Sequence, residues 1–198
     1  TLTGLNLSAS GITDILLERL NGNRFSGELF NEYLGEGIGE LTFSNGDDSV
    51  QMRGFLDYLD EFNLGPGNDT FEASRPDGDS LIVDGGSGVD RLDLTFLGSL
   101  TQQYTVDLNA GTVSGGGFSF GIRGFEVIDG GIAVAEYVGS SSRDVILAAG
   151  RDDLISGAGG DDRLEGAFGN DSIHGGDGAD SVNGGAGADT IDGGSGDD

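Results

Sequence analysis

The chain has 198 residues, of which 40 are glycine and only 35% are hydrophobic, a poor recipe for an ordinary packed core. Thirty-five acidic residues against nine arginines and no lysine give a formal net charge of −26, which disfavours nucleic acid and anionic lipid as partners and makes cations the natural counterpart. The lack of cysteine excludes disulfides and thiolate metal sites, and no stretch approaches the roughly 20 apolar residues that span a bilayer.

Residues 1–42 read as an irregular capping region. The opening Thr-Leu-Thr-Gly looks like neither a signal peptide nor a natural start. Leu2, Leu5 and Leu7 suggest a strand, whereas Ile12, Ile15, Leu16 and Leu20 have helical spacing behind a Thr13 cap. Residues 43–120 read as a degenerate repeat region with insertions. Three related segments stand out in it: FSNGDDSVQ at 43–51, LGPGNDTFE at 64–72 and GGSGVDRLD at 85–93. Their aspartates Asp48, Asp69 and Asp90 are spaced 21 residues apart, and SRPDGDSLI at 74–82 is a weaker copy with Asp79 in the equivalent place. Between 94 and 120, alternating runs such as Tyr104-Thr-Val-Asp-Leu108 read as strands without a turn motif.

Residues 121–198 carry the clearest periodicity. From Gly139 the chain divides into nine-residue blocks without insertion: GSSSRDVIL, AAGRDDLIS, GAGGDDRLE, GAFGNDSIH, GGDGADSVN, GGAGADTID and the partial GGSGDD. Position six is always aspartate, at Asp144, Asp153, Asp162, Asp171, Asp180, Asp189 and Asp198. Position eight is always aliphatic, at Ile146, Ile155, Leu164, Ile173, Val182 and Ile191. Two earlier blocks keep the register with altered chemistry, GIRGFEVID at 121–129 with Glu126 and GGIAVAEYV at 130–138 with Ala135. They are expected to continue the coil with weak or absent ion binding. Because Asp198 falls inside a block, the chain reads as a piece of a longer protein.

The pattern G-G-x-G-x-D-x-U-x resembles the RTX (repeats-in-toxin) nonapeptide, a calcium-binding parallel β-helix repeat, with Gly175, Gly176, Gly178, Asp180 and Val182 matching it position by position. The resemblance implies an all-β fold: a right-handed parallel β-roll preceded by a less regular β-rich region. The first six residues of each block would form an ion-binding turn and the last three a short strand, with two blocks per coil. Same-side turns would then recur every 18 residues, giving one ladder of Asp144, Asp162, Asp180 and Asp198 and another of Asp153, Asp171 and Asp189. The implied ligand set adds turn residues Gly157, Gly159, Asp161, Gly166, Phe168, Asn170, Gly175, Asp177, Ala179, Gly184, Ala186 and Ala188, with Asp48, Asp69 and Asp90 as further candidates. The cofactor is calcium, several ions, and the resemblance implies a bacterial protein exported unfolded to the cell surface or medium.

The chemistry of the residues agrees with that implication. Calcium takes six to eight oxygen ligands, and glycine lets a turn direct successive carbonyls inward. With one aliphatic side chain per nine residues and stacked carboxylates that repel, the repeats are expected to fold only when a cation binds. A generally acidic surface is the rival explanation of the charge. It would scatter aspartate and glutamate alike, yet 25 of the 35 acids are aspartate, and residues 139–198 contain one glutamate, Glu165.

Other functions find less support. Gly117-Phe-Ser-Phe-Gly121 matches G-x-S-x-G, but a nucleophile elbow needs a following helix and a histidine base. A repeat block follows Ser119, and the single histidine, His174, stands at an outward position nine. No catalytic residue is assigned, and any catalytic domain would lie outside this segment. Outward turn positions show no threonine or asparagine row, which disfavours ice binding. The expected function is a calcium-binding structural module of an adhesin, surface-layer protein or exoenzyme. The alternative is a polysaccharide-binding accessory module, for which Phe168 is the one aromatic in the regular repeats. Partners are then calcium, the remainder of the parent protein and a polysaccharide or cell surface.

Overall fold

The computed structural model describes residues 15–17, 40–43, 45–51, 60–73, 81–95, 97, 103–133 and 135–198. These contain strands and turns and no helix. The first nine strands are β1 (Ile15–Leu17), β2 (Glu40–Phe43), β3 (Ser49–Gln51), β4 (Glu61–Asn63), β5 (Thr70–Glu72), β6 (Ile82–Asp84), β7 (Arg91–Asp93), β8 (Tyr104–Asp107) and β9 (Thr112–Gly115). The rest are β10 (Phe118–Arg123), β11 (Val127–Asp129), β12 (Ala135–Val138), β13 (Val145–Leu147), β14 (Leu154–Gly159), β15 (Arg163–Glu165), β16 (Ser172–Asp177), β17 (Ser181–Asn183) and β18 (Thr190–Ser195).

The chain winds between two sheets. One has the order β1-β2-β4-β6-β10-β9-β8-β12-β14-β16-β18 and the other β17-β15-β13-β11-β7-β5-β3. Neighbours within a sheet are parallel, apart from the β8–β9 and β9–β10 pairs. This is the β-solenoid expected of the nonapeptide pattern. Its register follows the repeat: Ile155 pairs with Ile173 and Ile173 with Ile191 in one sheet, Ile146 with Leu164 and Leu164 with Val182 in the other. Alternation along each short strand sends position eight inward and positions seven and nine outward.

The two sheets differ in strand length. Three-residue strands fill the sheet holding β13, β15 and β17, as expected. On the other side β14, β16 and β18 have six residues, because pairing continues into the next turn through Ala158↔Gly176 and Gly176↔Gly194.

Between 94 and 120 the coil is interrupted. β8, β9 and β10 form an antiparallel meander that inserts two strands into one sheet, while β11 pairs directly with both β7 and β13 in the other. Its first turn is fixed by the Ala110 amide donating to Asp107 Oδ1 at 2.7 Å and by Gly111 in the left-handed region. The expected six-residue turn at 121–126 is not formed. Gly121 lies inside β10, and only Gly124, Phe125 and Glu126 join β10 to β11.

The helical spacing at 12–20 is also corrected where it is described. Ile15–Leu17 is a strand paired in parallel with Leu41–Phe43, edge pairing having overridden a weak local signal. The expected strand at Leu2–Leu7, the Thr13 cap and Asp79 lie outside the described residues.

Among the described residues one apolar core runs along the coil. Phe43, Phe62, Phe71, Leu92, Phe120, Ile122, Phe125 and Tyr137 make its wide part, and Ile146, Ile155, Leu164 and Ile173 its thin extension. Val182 packs against that extension only in part, and Ile191 on β18 is 50% exposed. Apolar packing therefore thins steadily through the regular repeats.

Candidate metal centre

Each regular turn ends on its position-six aspartate, immediately before a strand. The backbone amide of each aspartate donates to Oδ1 of the aspartate 18 residues on: Asp144 to Asp162 at 2.8 Å, Asp162 to Asp180 at 2.9 Å and Asp180 to Asp198 at 3.0 Å. On the opposite side Asp153 donates to Asp171 at 2.8 Å and Asp171 to Asp189 at 3.0 Å. The structure thus brings the repeat aspartates together as the two columns that the 18-residue spacing implies.

The second oxygen of these carboxylates is the informative atom. Oδ2 of Asp153, Asp162, Asp171 and Asp180 is buried and accepts no hydrogen bond, as is Oδ1 of Asp144. A buried acceptor without a donor costs about 1–3 kcal/mol, and more when charged. Here the same orphan recurs in rung after rung. In Asp162, Asp171 and Asp180 this oxygen turns back toward the first residue of its own turn. A methyl group at Gly157, Gly166, Gly175 or Gly184 would collide with Oδ2 of Asp162, Asp171, Asp180 or Asp189 respectively.

Carbonyls surround this space. Position-three carbonyls bridge the rungs, Asp177 accepting from the Gly160 amide at 2.8 Å and Ala186 from Gly169 at 3.0 Å. Phe168 does the same for Arg151 at 2.6 Å, while Gly159 donates to the Ser140 carbonyl at 3.1 Å. Each carbonyl keeps a second lone pair.

Position five forms a further column that the nonapeptide pattern does not specify. Asp152 Oδ1 accepts the Asn170 amide at 2.7 Å, Asn170 Oδ1 the Ala188 amide at 2.9 Å, and Asp161 Oδ1 the Ala179 amide at 2.9 Å. The signal was legible as Asx-Asp dipeptides: Asp152-Asp153, Asp161-Asp162 and Asn170-Asp171.

The 130–138 block shows what a turn without the carboxylate requires. Ala135 occupies position six, and its amide donates to Asp153 Oδ1 at 2.8 Å. The Tyr137 hydroxyl, not a carboxylate, lies against the first glycine of that turn, Gly130. It bonds to the Tyr104 hydroxyl at 3.2 Å, and Tyr104 accepts the Gly131 amide at 2.9 Å. Two neutral phenols fill that turn.

Burial raises the carboxylate pKa values. Asp153 is pushed up to about 7, first by desolvation and then by the charges of Asp171 and Asp152. Asp162 is pushed up to about 6 by desolvation and by Asp144, Asp180 and Asp161. Asp144 and Asp171 move in the same direction, with burial again the main cause. In the metal-free protein these groups hold protons that the unfolded chain releases near pH 4. The stabilising contribution of Asp162 and Asp153 is complete below that pH and is lost as pH rises through about 6 and about 7. With calcium bound the sign reverses, because protons compete with the ion. In chelator the strand signal of the repeats should grow from pH 8 to pH 5, whereas melting midpoints in calcium should fall over the same range. A common direction in both conditions would contradict this.

Among the described residues, no three Asp, Glu, His or Cys side chains cluster as a metal site. A cation in the columns would therefore meet at most paired carboxylates plus backbone carbonyls. An all-oxygen set of this kind suits a hard ion such as calcium rather than zinc. His174, 3.4 Å from Asp192, lies on the exposed outer face, away from the carboxylate columns. Ser119 lies within β10, in the β9–β10 pairing, and not at a strand-to-helix turn.

A family model described as the RTX calcium-binding nonapeptide repeat, in four copies, matches residues 138–173 and 165–198. No curated protein matches the chain. Residues 138–198 are therefore a run of RTX calcium-binding nonapeptide repeats, folded as a β-roll.

Proposed function

We propose that this chain is a structural module whose repeat region folds when calcium binds after export, and which stabilises or spaces a secreted or cell-surface protein. The observation that carries the proposal is the register of buried, unbonded Oδ2 atoms at Asp153, Asp162, Asp171 and Asp180. Calcium would be held between same-side turns, by Asp144, Asp162, Asp180 and Asp198 in one column and Asp153, Asp171 and Asp189 in the other. Turn carbonyls at positions one, three and five would complete the ligand shell. The ion supplies positive charge that offsets carboxylate repulsion and desolvation. This chain's own residues do the remaining work: Oδ1 fixes the next rung, glycine keeps the turn narrow, and position eight packs the core.

The same features suit export. With calcium scarce, residues 139–198 are an expanded polyanion; where calcium is abundant, binding free energy becomes folding free energy. Among the described residues no helix is long and apolar enough to cross a membrane. Small-angle X-ray scattering of the chain in chelator and in millimolar calcium checks this. The radius of gyration should fall clearly on adding calcium, and equal radii would contradict calcium-driven folding. A glycan screen in calcium tests the accessory-module alternative, with Phe168, 69% exposed, as the first residue to replace if binding is found.

A further inference from the structure

Upstream of the family match, the turns ending at Asp48, Asp69 and Asp90 repeat the bonding of the regular roll. The Asp48 amide donates to Asp69 Oδ1 and the Asp69 amide to Asp90 Oδ1, both at 2.7 Å, as Asp153 and Asp171 do in the roll. Position five is reproduced too: Asn68 donates to Asp47 Oδ1 and Val89 to Asn68 Oδ1, both at 2.9 Å. At position four, the Gly67 amide reaches the Ser87 carbonyl at 3.0 Å and Gly46 reaches Pro66 at 2.6 Å. The Pro66–Ser87 bridge mirrors the Phe168–Ala186 bridge. From position four to position six the bonding is that of the roll, although position one holds Phe43 and Leu64 in place of glycine.

The 21-residue period hides it. β3 to β4 and β5 to β6 are joined by residues 52–60 and 73–81, each three longer than the 148–153 connection between β13 and β14. The connections that lead into Asp69 and Asp90, at 64–69 and 85–90, keep six residues. These turns stand in the same sheet-to-turn column as Asp144, since β3, β5 and β7 share a sheet with β13, β15 and β17. Most telling, Oδ2 of Asp69 and of Asp90 is buried and accepts no hydrogen bond, with the two residues 1% and 0% exposed. The column then changes character. Glu126 Oε2 accepts the Asp90 amide at 2.9 Å from a three-residue connection that has too few carbonyls for a cradle.

We infer that the three turns ending at Asp48, Asp69 and Asp90 bind two calcium-type divalent cations, one between Asp48 and Asp69 and one between Asp69 and Asp90. The inference rests on the calcium reading of the roll and extends it to a segment of different period.

Calcium stoichiometry of the full chain by titration calorimetry tests it, with the Asp69→Asn/Asp90→Asn double variant beside wild type. The double variant should lose two ions and keep those of the roll. An unchanged count overturns the inference alone, whereas a wild-type chain that binds no calcium overturns the reading of the roll as well. If the variant fails to fold, hydrogen exchange on wild type decides. Calcium should slow the Asp48 and Asp69 amides by about tenfold or more. Slowing confined to Asp144, Asp153 and Asp162 would overturn the upstream sites.

Discussion

Gly187→Ala should collapse the last described coil and cost about 3–5 kcal/mol of calcium-bound stability. Gly187 has φ of +154°, and a methyl group there would overlap the Gly169 carbonyl of the rung beneath. A side chain forced into this backbone region costs about 1–2 kcal/mol, and overpacking about 1–3 kcal/mol more. Gly46→Ala separates the two effects. Its φ is +141°, but an added methyl group meets nothing within 4 Å among the described residues. It should therefore show the strain without the collision, and the smaller loss. Calcium-bound denaturation midpoints of the two variants check this. Equal losses would mean that close stacking of the turns does not limit which residues they accept.

Asp162→Asn should change stability in opposite directions with and without calcium. Asp162 is the inner rung of its column, and its Oδ1 anchors the Asp144 amide. Asparagine keeps that acceptor and removes the charge. In chelator the wild type buries an unbonded carboxylate oxygen whose pKa burial pushes up to about 6. The variant should then be the more stable protein by about 1–3 kcal/mol at pH 8. In calcium the variant leaves the ion with one carboxylate fewer on each side of the rung. Removing one partner of a buried charge pair costs about 3–5 kcal/mol. Chemical denaturation in calcium reads the loss, and the far-UV circular-dichroism strand signal in chelator, where the wild-type repeats are unfolded, reads the gain. Destabilisation in both would mean that Asp162 acts through its hydrogen bond and not through its charge.

The regular part of the fold was legible in register though not in strand length, since pairing beyond Ile155 and Ile173 runs on into the turn. Position six supplies the carboxylate, position eight the core, and the 18-residue rung follows from two blocks per coil. Where the period is broken, legibility fails for identifiable reasons. Alternation in Tyr104–Leu108 signals a strand but not its partner, so the antiparallel meander was invisible. The glycines at 121 and 124 fit the nonapeptide spacing, yet Gly121 is strand backbone and the turn contracts to three residues. Tyr137 reads as an ordinary core residue at position eight, and only the Gly130–Tyr137 contact shows that its hydroxyl fills a turn. Asp48, Asp69 and Asp90 were found by their spacing. The burial of Asp69 and Asp90 was not, because a 21-residue period does not reveal which connection absorbs the three extra residues.

This distribution of packing also divides the molecule energetically. From Phe43 to Tyr137 the core includes phenylalanines and paired tyrosines, whereas beyond Ile146 it thins to single aliphatic side chains. The wide part can gain stability from apolar burial. The thin part depends on neutralising its aspartate columns.

Far-UV circular dichroism through a calcium titration, with magnesium as the control, tests that dependence most directly. The strand signal should rise cooperatively with calcium and stay unchanged with magnesium, from a chelated baseline that retains only the contribution of the wide core. A chelated spectrum already identical to the calcium-bound one would contradict calcium-driven folding of the repeats.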